Sequence, residues 1–188
     1  MDKGLTKASS KAFFLDRDGV INVDHGYVHK IKDFEFFPGV FEACQIIAQA
    51  GFKIVIVTNQ AGIGRGYYTE QEFNELTSWM VEQFEQQGVS ISEVQFCPHH
   101  AESGIGHYKQ ECSHRKPNPG MLLTAAKNLN ICLNQSVLVG DKYSDMYAGA
   151  NAGVEALFYV NKNELEVKES DFFTRCHSLH QAVTLFFD

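Results

Sequence analysis

An α/β fold is predicted: a Rossmann-like three-layer sandwich in which helices cover both faces of a mainly parallel central sheet. Short apolar runs alternate with amphipathic segments along the chain, and repeated strand-then-helix order is the pattern of parallel sheets. Turn and cap residues mark the joins. At 188 residues the chain is long enough for one domain with a substantial core and short for two. Residues 1–188 are therefore read as a single domain.

The elements follow in order. Ala12 to Leu15 is the first strand. Pro38-Gly39 opens a helix over Val40 to Ala50 and Gly51 ends it, which makes Phe52 to Thr58 an internal strand. Thr69-x-x-Glu72 is a capping-box pattern opening a helix from Glu70 to Gln87, with Gly88 as its stop. Then come a strand at Ile91 to Cys97, a helix at Gly120 to Asn128, a strand at Ser136 to Gly140, a helix at Tyr143 to Asn151 and a strand at Glu155 to Val160. Two long connections, Val20 to Phe37 and Pro98 to Asn118, fall outside the alternation. Long loops in compact domains are usually functional or disordered, and these lie beyond strand ends, where parallel sheets bind ligands. Gly62-Ile63-Gly64-Arg65-Gly66 lacks the full dinucleotide-binding spacing and follows the second strand, so a flexible loop is expected there.

Composition narrows the function classes. The 44% hydrophobic and 21% charged content is ordinary for a globular protein. A formal charge of −7 argues against a broad nucleic-acid surface, which needs clustered Lys and Arg. Met1 to Ser10 has no apolar core of signal-peptide length, and no stretch reaches the roughly 20 apolar residues of a membrane span. A cytoplasmic protein with no membrane or nucleic-acid partner is expected, acting as a monomer. Five cysteines, an odd number, fit a reducing compartment. Cys44, Cys132 and Cys176 sit among apolar neighbours and read as small core residues.

Four strand ends carry the chemistry. Phe14-Leu15-Asp16-Arg17-Asp18-Gly19 delivers two acids from a buried strand, and in extended chain residues two apart lie about 6.5 Å apart on one side. One carboxylate can be nucleophile or metal ligand while the other moves protons. Thr58-Asn59-Gln60 offers a hydroxyl and successive backbone N–H groups to phosphate oxygens. Arg115-Lys116-Pro117 sets two cations before a helix. Gly140-Asp141 ends another strand with a carboxylate able to complete a hard-cation site with Asp16; Asp145, four residues on, reads as loop support.

Together, Asp-x-Asp-Gly, Thr-Asn-Gln, Lys-Pro and Gly-Asp resemble the motifs of the haloacid dehalogenase-like phosphatases over essentially the whole chain. The resemblance implies that Asp16 attacks phosphorus to give an aspartyl-phosphate. Asp18 would protonate the leaving alkoxide and then activate water. Mg2+ would be held by the carboxylates of Asp16 and Asp141 and the backbone carbonyl of Asp18, screening the approach of an anion to an anion. Thr58 and Lys116 would hold the equatorial oxygens. Val20 stands where many relatives carry Thr, a departure peripheral to this mechanism. The short loop after the first motif implies no separate cap domain.

Cys97-Pro98-His99 and Cys112-Ser113-His114 are matched pairs of soft and borderline ligands, the pattern of a structural Zn2+ site with four ligands. It would staple the loop from about residue 97 to 114. Cys-Pro-His-His, Cys-x-x-Arg-Lys-Pro and Asp24-His25-Gly26-Tyr27-Val28 narrow the resemblance to the D-glycero-D-manno-heptose 1,7-bisphosphate 7-phosphatases, near the histidinol-phosphate phosphatases. That resemblance implies a small-molecule sugar bisphosphate as substrate, on the route to nucleotide-activated heptose for lipopolysaccharide core or related glycans. It sets Asp24, His25, Gly26 and Tyr27 against the sugar, and gives Arg115 and Lys142 contacts with substrate anions. Relatives commonly close the zinc loop with Cys-x-Cys, whereas His114 stands at the last position here, with His100 or His107 as substitutes. Histidinol phosphate is the alternative substrate. A zinc-stabilised binding module with vestigial acids is the alternative of a different class, and the full set of catalytic residue types argues against it.

Overall fold

The computed structural model describes residues 9–161 and 172–188. Six strands form one sheet, β1 (Ala12–Leu15), β2 (Lys53–Asn59), β3 (Ile91–Cys97), β4 (Val137–Gly140), β5 (Ala156–Val160) and β6 (Thr174–Cys176). Their order is β3-β2-β1-β4-β5-β6, and every neighbouring pair is parallel. The helices are α1 (Val40–Gln49), α2 (Ala61–Gly64), α3 (Glu70–Gln86), α4 (Gly120–Leu129), α5 (Tyr143–Ala152) and α6 (Leu179–Phe187).

Successive strand side chains point to opposite faces, so the continuous apolar run of β1 feeds two cores. Phe13 and Leu15 join Ile54, Ile56, Val137 and Val139 under α1, α3 and α6. Ala12 and Phe14 join Val55, Val57 and Leu138 under α4 and α5. Burying each large side chain stabilises the sheet by about 1.5–3 kcal/mol. Strand order reverses at β1, whose neighbours are β2 and β4. Ligands bind at such a switch point, outside the carboxyl ends of the strands.

The predicted joins are present. Thr69 N–H donates to Glu72 Oε2 at 2.8 Å and Glu72 N–H to Thr69 Oγ1 at 3.1 Å, a reciprocal capping box. Gly51 and Gly88 take φ of 78° and 73°, the left-handed region where a Cβ is disfavoured.

Three elements depart from the expectation. The flexible loop expected at Gly62 to Gly66 is instead the helix α2 and its cap, with Gly62, Ile63 and Gly64 buried. These glycines admit neighbours: a Cβ on Gly62 would strike the Tyr68 ring, and one on Gly64 the Pro98 carbonyl. Beyond β5, the unforeseen β6 and α6 complete the sheet and one helical layer. Ser178 Oγ caps α6 by accepting from Gln181 N–H at 3.1 Å, and Leu179, Ala182 and Val183 enter the core. Cys44 and Cys176 are buried, and desolvation pushes both thiols up to about 12. Cys132 is only half-buried, its thiol donating to Asn134 Oδ1 at 2.9 Å. Among the described residues no helix is long and apolar enough to cross a membrane; residues 1–8, read above for a leader, lie outside them.

Candidate active site

Asp16 leaves β1 with its N–H donating to the Val139 carbonyl of β4 at 2.9 Å, which anchors it beside the switch point. Its Oδ1 lies 2.9 Å from Lys116 Nζ and accepts from Arg17 N–H at 2.8 Å, leaving Oδ2 outside this clamp. Lys116 Nζ also meets Asp145 Oδ1 at 2.6 Å and donates to the Val57 carbonyl at 2.9 Å. Three oxygens thus face its three N–H groups. Asp145 both neutralises Lys116 and supports its loop, accepting from Lys142 N–H at 2.9 Å.

Asp16, Asp141 and Asp145 bring ligand oxygens within 4.8 Å of one another. Three carboxylates against one buried ammonium leave excess negative charge. Burial pushes the Asp16 carboxyl up to about 8, with Lys116 opposing and Asp145 and Asp141 adding to the rise. Burial likewise pushes Asp141 up to about 6, against the pull of Lys142. Burial alone would lower Lys116, but Asp145 and Asp16 outweigh it and hold the amine protonated. Asp141 Oδ1 is buried with no hydrogen-bond partner among the described residues. An all-oxygen set with surplus charge and an orphaned oxygen fits a hard divalent cation.

Two glycines give these acids their room. Gly19 has φ 94°, and a Cβ there would overlap the Asp141 carboxylate. At Gly140 a Cβ would overlap the carboxylate of Asp145.

Asp18, the second acid of the first motif, lies outside the three-carboxylate group. The strand ends at Leu15, and the turn hands Asp18 to other partners. Arg17 Nη2 donates to its two oxygens at 2.9 and 2.8 Å and Arg17 Nε at 3.2 Å. Asn22 Nδ2 adds a bond of 3.0 Å and Gln60 Nε2 one of 3.1 Å. Thr58 Oγ1 accepts from Gln60 Nε2 at 2.8 Å, so its own hydrogen can be donated elsewhere.

Asn59 and Gln60, expected against substrate, are committed within the protein. Asn59 Oδ1 accepts from Lys116 N–H and its Nδ2 donates to the Lys116 carbonyl, both at 3.1 Å. Gln60 is buried at 2% exposure, and its backbone N–H donates to the Cys97 carbonyl at 2.8 Å rather than facing a phosphate.

Around this centre, Asp24 Oδ2 lies 3.3 Å from Lys142 Nζ and Asp24 Oδ1 accepts from Gly26 N–H at 3.0 Å. His25, Gly26 and Tyr27 line a hollow of about 390 Å³. In the long loop, Cys97, His99 and Cys112 bring ligand atoms within 4.8 Å of one another. Burial, with Cys112 adding, pushes the Cys97 thiol up to about 12, so a soft cation would have to displace a proton there. His114 is not in this group: its Nε2 is 3.0 Å from Thr124 Oγ1 on α4. The suggested substitutes are also turned elsewhere. His100 Nδ1 accepts from Glu102 and Ser103 N–H at 3.3 and 3.2 Å, and His107 packs on Tyr108 with ring centroids 3.9 Å apart.

A HAD-hydrolase-like family model matches residues 113–169. The chain is 56% identical to D-glycero-beta-D-manno-heptose-1,7-bisphosphate 7-phosphatase of Vibrio cholerae, over 76% of this chain and 77% of that one. The chain belongs to the heptose-1,7-bisphosphate 7-phosphatase family of HAD-like hydrolases. Another family member, D-glycero-alpha-D-manno-heptose-1,7-bisphosphate 7-phosphatase of Burkholderia mallei, is 52% identical over 77% of each chain. Among solved structures, D,D-heptose 1,7-bisphosphate phosphatase from B. bronchiseptica, complexed with magnesium and phosphate, superposes with a TM-score of 0.79. It is 28% identical and covers 94% of this chain and 98% of its own.

In this family member one cation escaped the sequence reading. Arg65, at the end of α2, sets Nη2 3.4 Å from His100 Nε2 and its guanidinium 5.8 Å from the Tyr27 ring centroid. Its Nε is buried without an acceptor among the described residues. Arg115 stands close by, donating to the His99 carbonyl at 3.1 Å; burial lowers its pKa and Arg65 lowers it further. Among the described residues neither guanidinium forms a salt bridge to an acid. Two adjoining cations without a carboxylate favour an anionic ligand.

Proposed function

We propose that this chain removes the C7 phosphate of D-glycero-D-manno-heptose 1,7-bisphosphate and retains the anomeric phosphate. The observation that carries the reading is the buried cluster of Asp16, Asp141 and Asp145 around Lys116, in a chain whose relatives bear that activity in their names. Asp16 Oδ2 attacks phosphorus to give an aspartyl-phosphate, and Asp18 delivers a proton to the departing C7 oxygen. Asp18 then takes a proton from the water that cleaves the acyl phosphate. Thr58 donates its hydroxyl hydrogen to a phosphoryl oxygen, and Lys116 exchanges its bond to Asp16 for one to the transferred group. Mg2+, held by Asp16, Asp141 and the Asp18 backbone carbonyl, supplies charge neutralisation between the two anions when bound.

Arg65 and Arg115 take the retained phosphate, while Asp24, His25, Gly26, Tyr27 and Lys142 border the sugar. Zn2+ on Cys97, His99 and Cys112 staples the loop that carries Arg115. The enzyme acts as one domain and as a monomer. The names of the relatives do not favour histidinol phosphate.

The test compares phosphate release from the heptose bisphosphate and from histidinol phosphate, with Mg2+ present. Turnover of the bisphosphate with the anomeric phosphate intact is expected, and preference for histidinol phosphate would overturn the substrate. Asp16→Asn should abolish turnover and keep the fold; turnover at the parent rate would remove Asp16 as nucleophile.

A further inference from the structure

We propose that Gln60, held in orientation by Tyr68, is a positioning residue that aims the Asp18 carboxyl group and the Thr58 hydroxyl together. The inference rests on the roles of Asp18 and Thr58 proposed above and assigns what sets them.

Gln60, Thr58 and Tyr68 are 2%, 1% and 5% exposed, so each polar atom must find its partner inside the protein. An amide has two N–H groups and one carbonyl. Here Nε2 donates to Asp18 Oδ2 at 3.1 Å and to Thr58 Oγ1 at 2.8 Å, and Oε1 accepts from Tyr68 O–H at 2.5 Å. A carboxylate only accepts, so a flipped amide would turn its carbonyl oxygen against Asp18 and leave Tyr68 facing N–H groups. The Asp18 carboxylate selects that orientation, and the Tyr68 hydroxyl, donating to Oε1, holds the carboxamide in place for both neighbours. Because Thr58 Oγ1 receives a hydrogen from Gln60, its own hydrogen is left for a phosphoryl oxygen.

Arg17 and Asn22 also hold Asp18, but among the described residues Gln60 is the side chain that bonds both Asp18 and Thr58. Loss of its orientation therefore unlinks the proton donor from the phosphoryl grip without releasing Asp18 from its turn. Tyr68 is itself fixed: its ring stacks on His29 with centroids 4.8 Å apart and planes 3° apart, and the missing Cβ of Gly62 makes room for its edge. Phenylalanine would preserve that packing and remove only the hydroxyl.

The test is the first-turnover rate of the full-length, magnesium-loaded enzyme on two substrates. The sugar bisphosphate expels an alkoxide that needs a proton, whereas 4-nitrophenyl phosphate expels a phenolate that does not. For Tyr68→Phe, the ratio of the sugar rate to the aryl rate should fall at least about tenfold, with an unchanged melting temperature and KM. Gln60→Leu should lower the same ratio further. Equal losses on both substrates, or no loss on either, would overturn the assignment, since a merely structural defect leaves the ratio alone. Asp18→Asn separates the two layers of the argument. If it leaves the ratio unchanged, the role of Asp18 fails; if it lowers the ratio while Tyr68→Phe does not, the positioning role fails.

Discussion

Replacing Lys116 by methionine removes a cation whose side chain is 1% exposed and which lies 2.9 Å from Asp16 and 2.6 Å from Asp145. The stem volume is kept, so the loss is electrostatic. Removing one partner of a buried pair costs about 3–5 kcal/mol when the other stays charged. At about 2–4 °C per kcal/mol for a chain of this size, the melting temperature should drop by roughly 6–20 °C. The cost must depend on pH. Asp16 already titrates near 8 instead of its ordinary 3.8 with the lysine in place, and it rises further without it. A carboxyl whose folded pKa is raised binds more protons folded than unfolded, so stability is lost as pH climbs from the ordinary value through the folded one. In Lys116→Met the destabilisation through Asp16 should therefore be larger at about pH 9, where Asp16 has ionised beside the lysine but stays neutral without it, than at about pH 5, where it is neutral in both proteins. Urea unfolding of both proteins in EDTA at the two pH values measures it. A difference below about 1 kcal/mol at high pH, or equal differences at both, would refute the charge balance drawn for this cluster.

Arg65→Gln should raise KM for the sugar bisphosphate by about 10–100-fold and change KM for the corresponding 7-monophosphate by less than about twofold, the size of one lost charged hydrogen bond; equal effects on both would remove Arg65 from the retained phosphate. Zinc analysis should find the metal retained in His114→Ala and lost in Cys112→Ala, since His114 faces Thr124; loss of zinc in His114→Ala would return that histidine to the site. Mg2+ affinity, followed by calorimetry in buffers of different ionisation heat, should strengthen as pH rises through about 6 and about 8, where Asp141 and Asp16 shed protons. Proton release should accompany binding below that range, and an affinity independent of pH would contradict the raised carboxyls.

What could be read from the sequence was what is local. The strands β1, β2 and β4 are largely apolar runs closed by a turn residue, and burial on both faces of a parallel sheet leaves such a run no other place to go. Asp16 and Asp141 were legible because they follow β1 and β4 directly, and strand ends at a switch point converge whatever the loops do. β6 was not, because Thr174-Arg175-Cys176 buries only its cysteine and draws its strand character from pairing with β5.

Two residues expected against substrate hold side-chain partners within the protein, for one physical reason. Asn59 and Gln60 stand in a strand-end turn that looks like a phosphate cradle, yet their partners lie 57 and 42 residues away in sequence. A carboxamide is equally able to bind substrate or backbone, and only the fold decides between them. The glycines misled in the opposite direction. Gly62 and Gly64 suggest mobility in the sequence, whereas each lacks a side chain because a tyrosine ring or a carbonyl occupies that space. The same holds at Gly19 and Gly140, where the space belongs to the Asp141 and Asp145 carboxylates. Around a site this crowded with charge, a glycine marks where a distant group must come close. The run between Gly62 and Gly66 is defined by what it admits and carries. Tyr68 fits against it, and Arg65 projects from it toward the loop of Arg115.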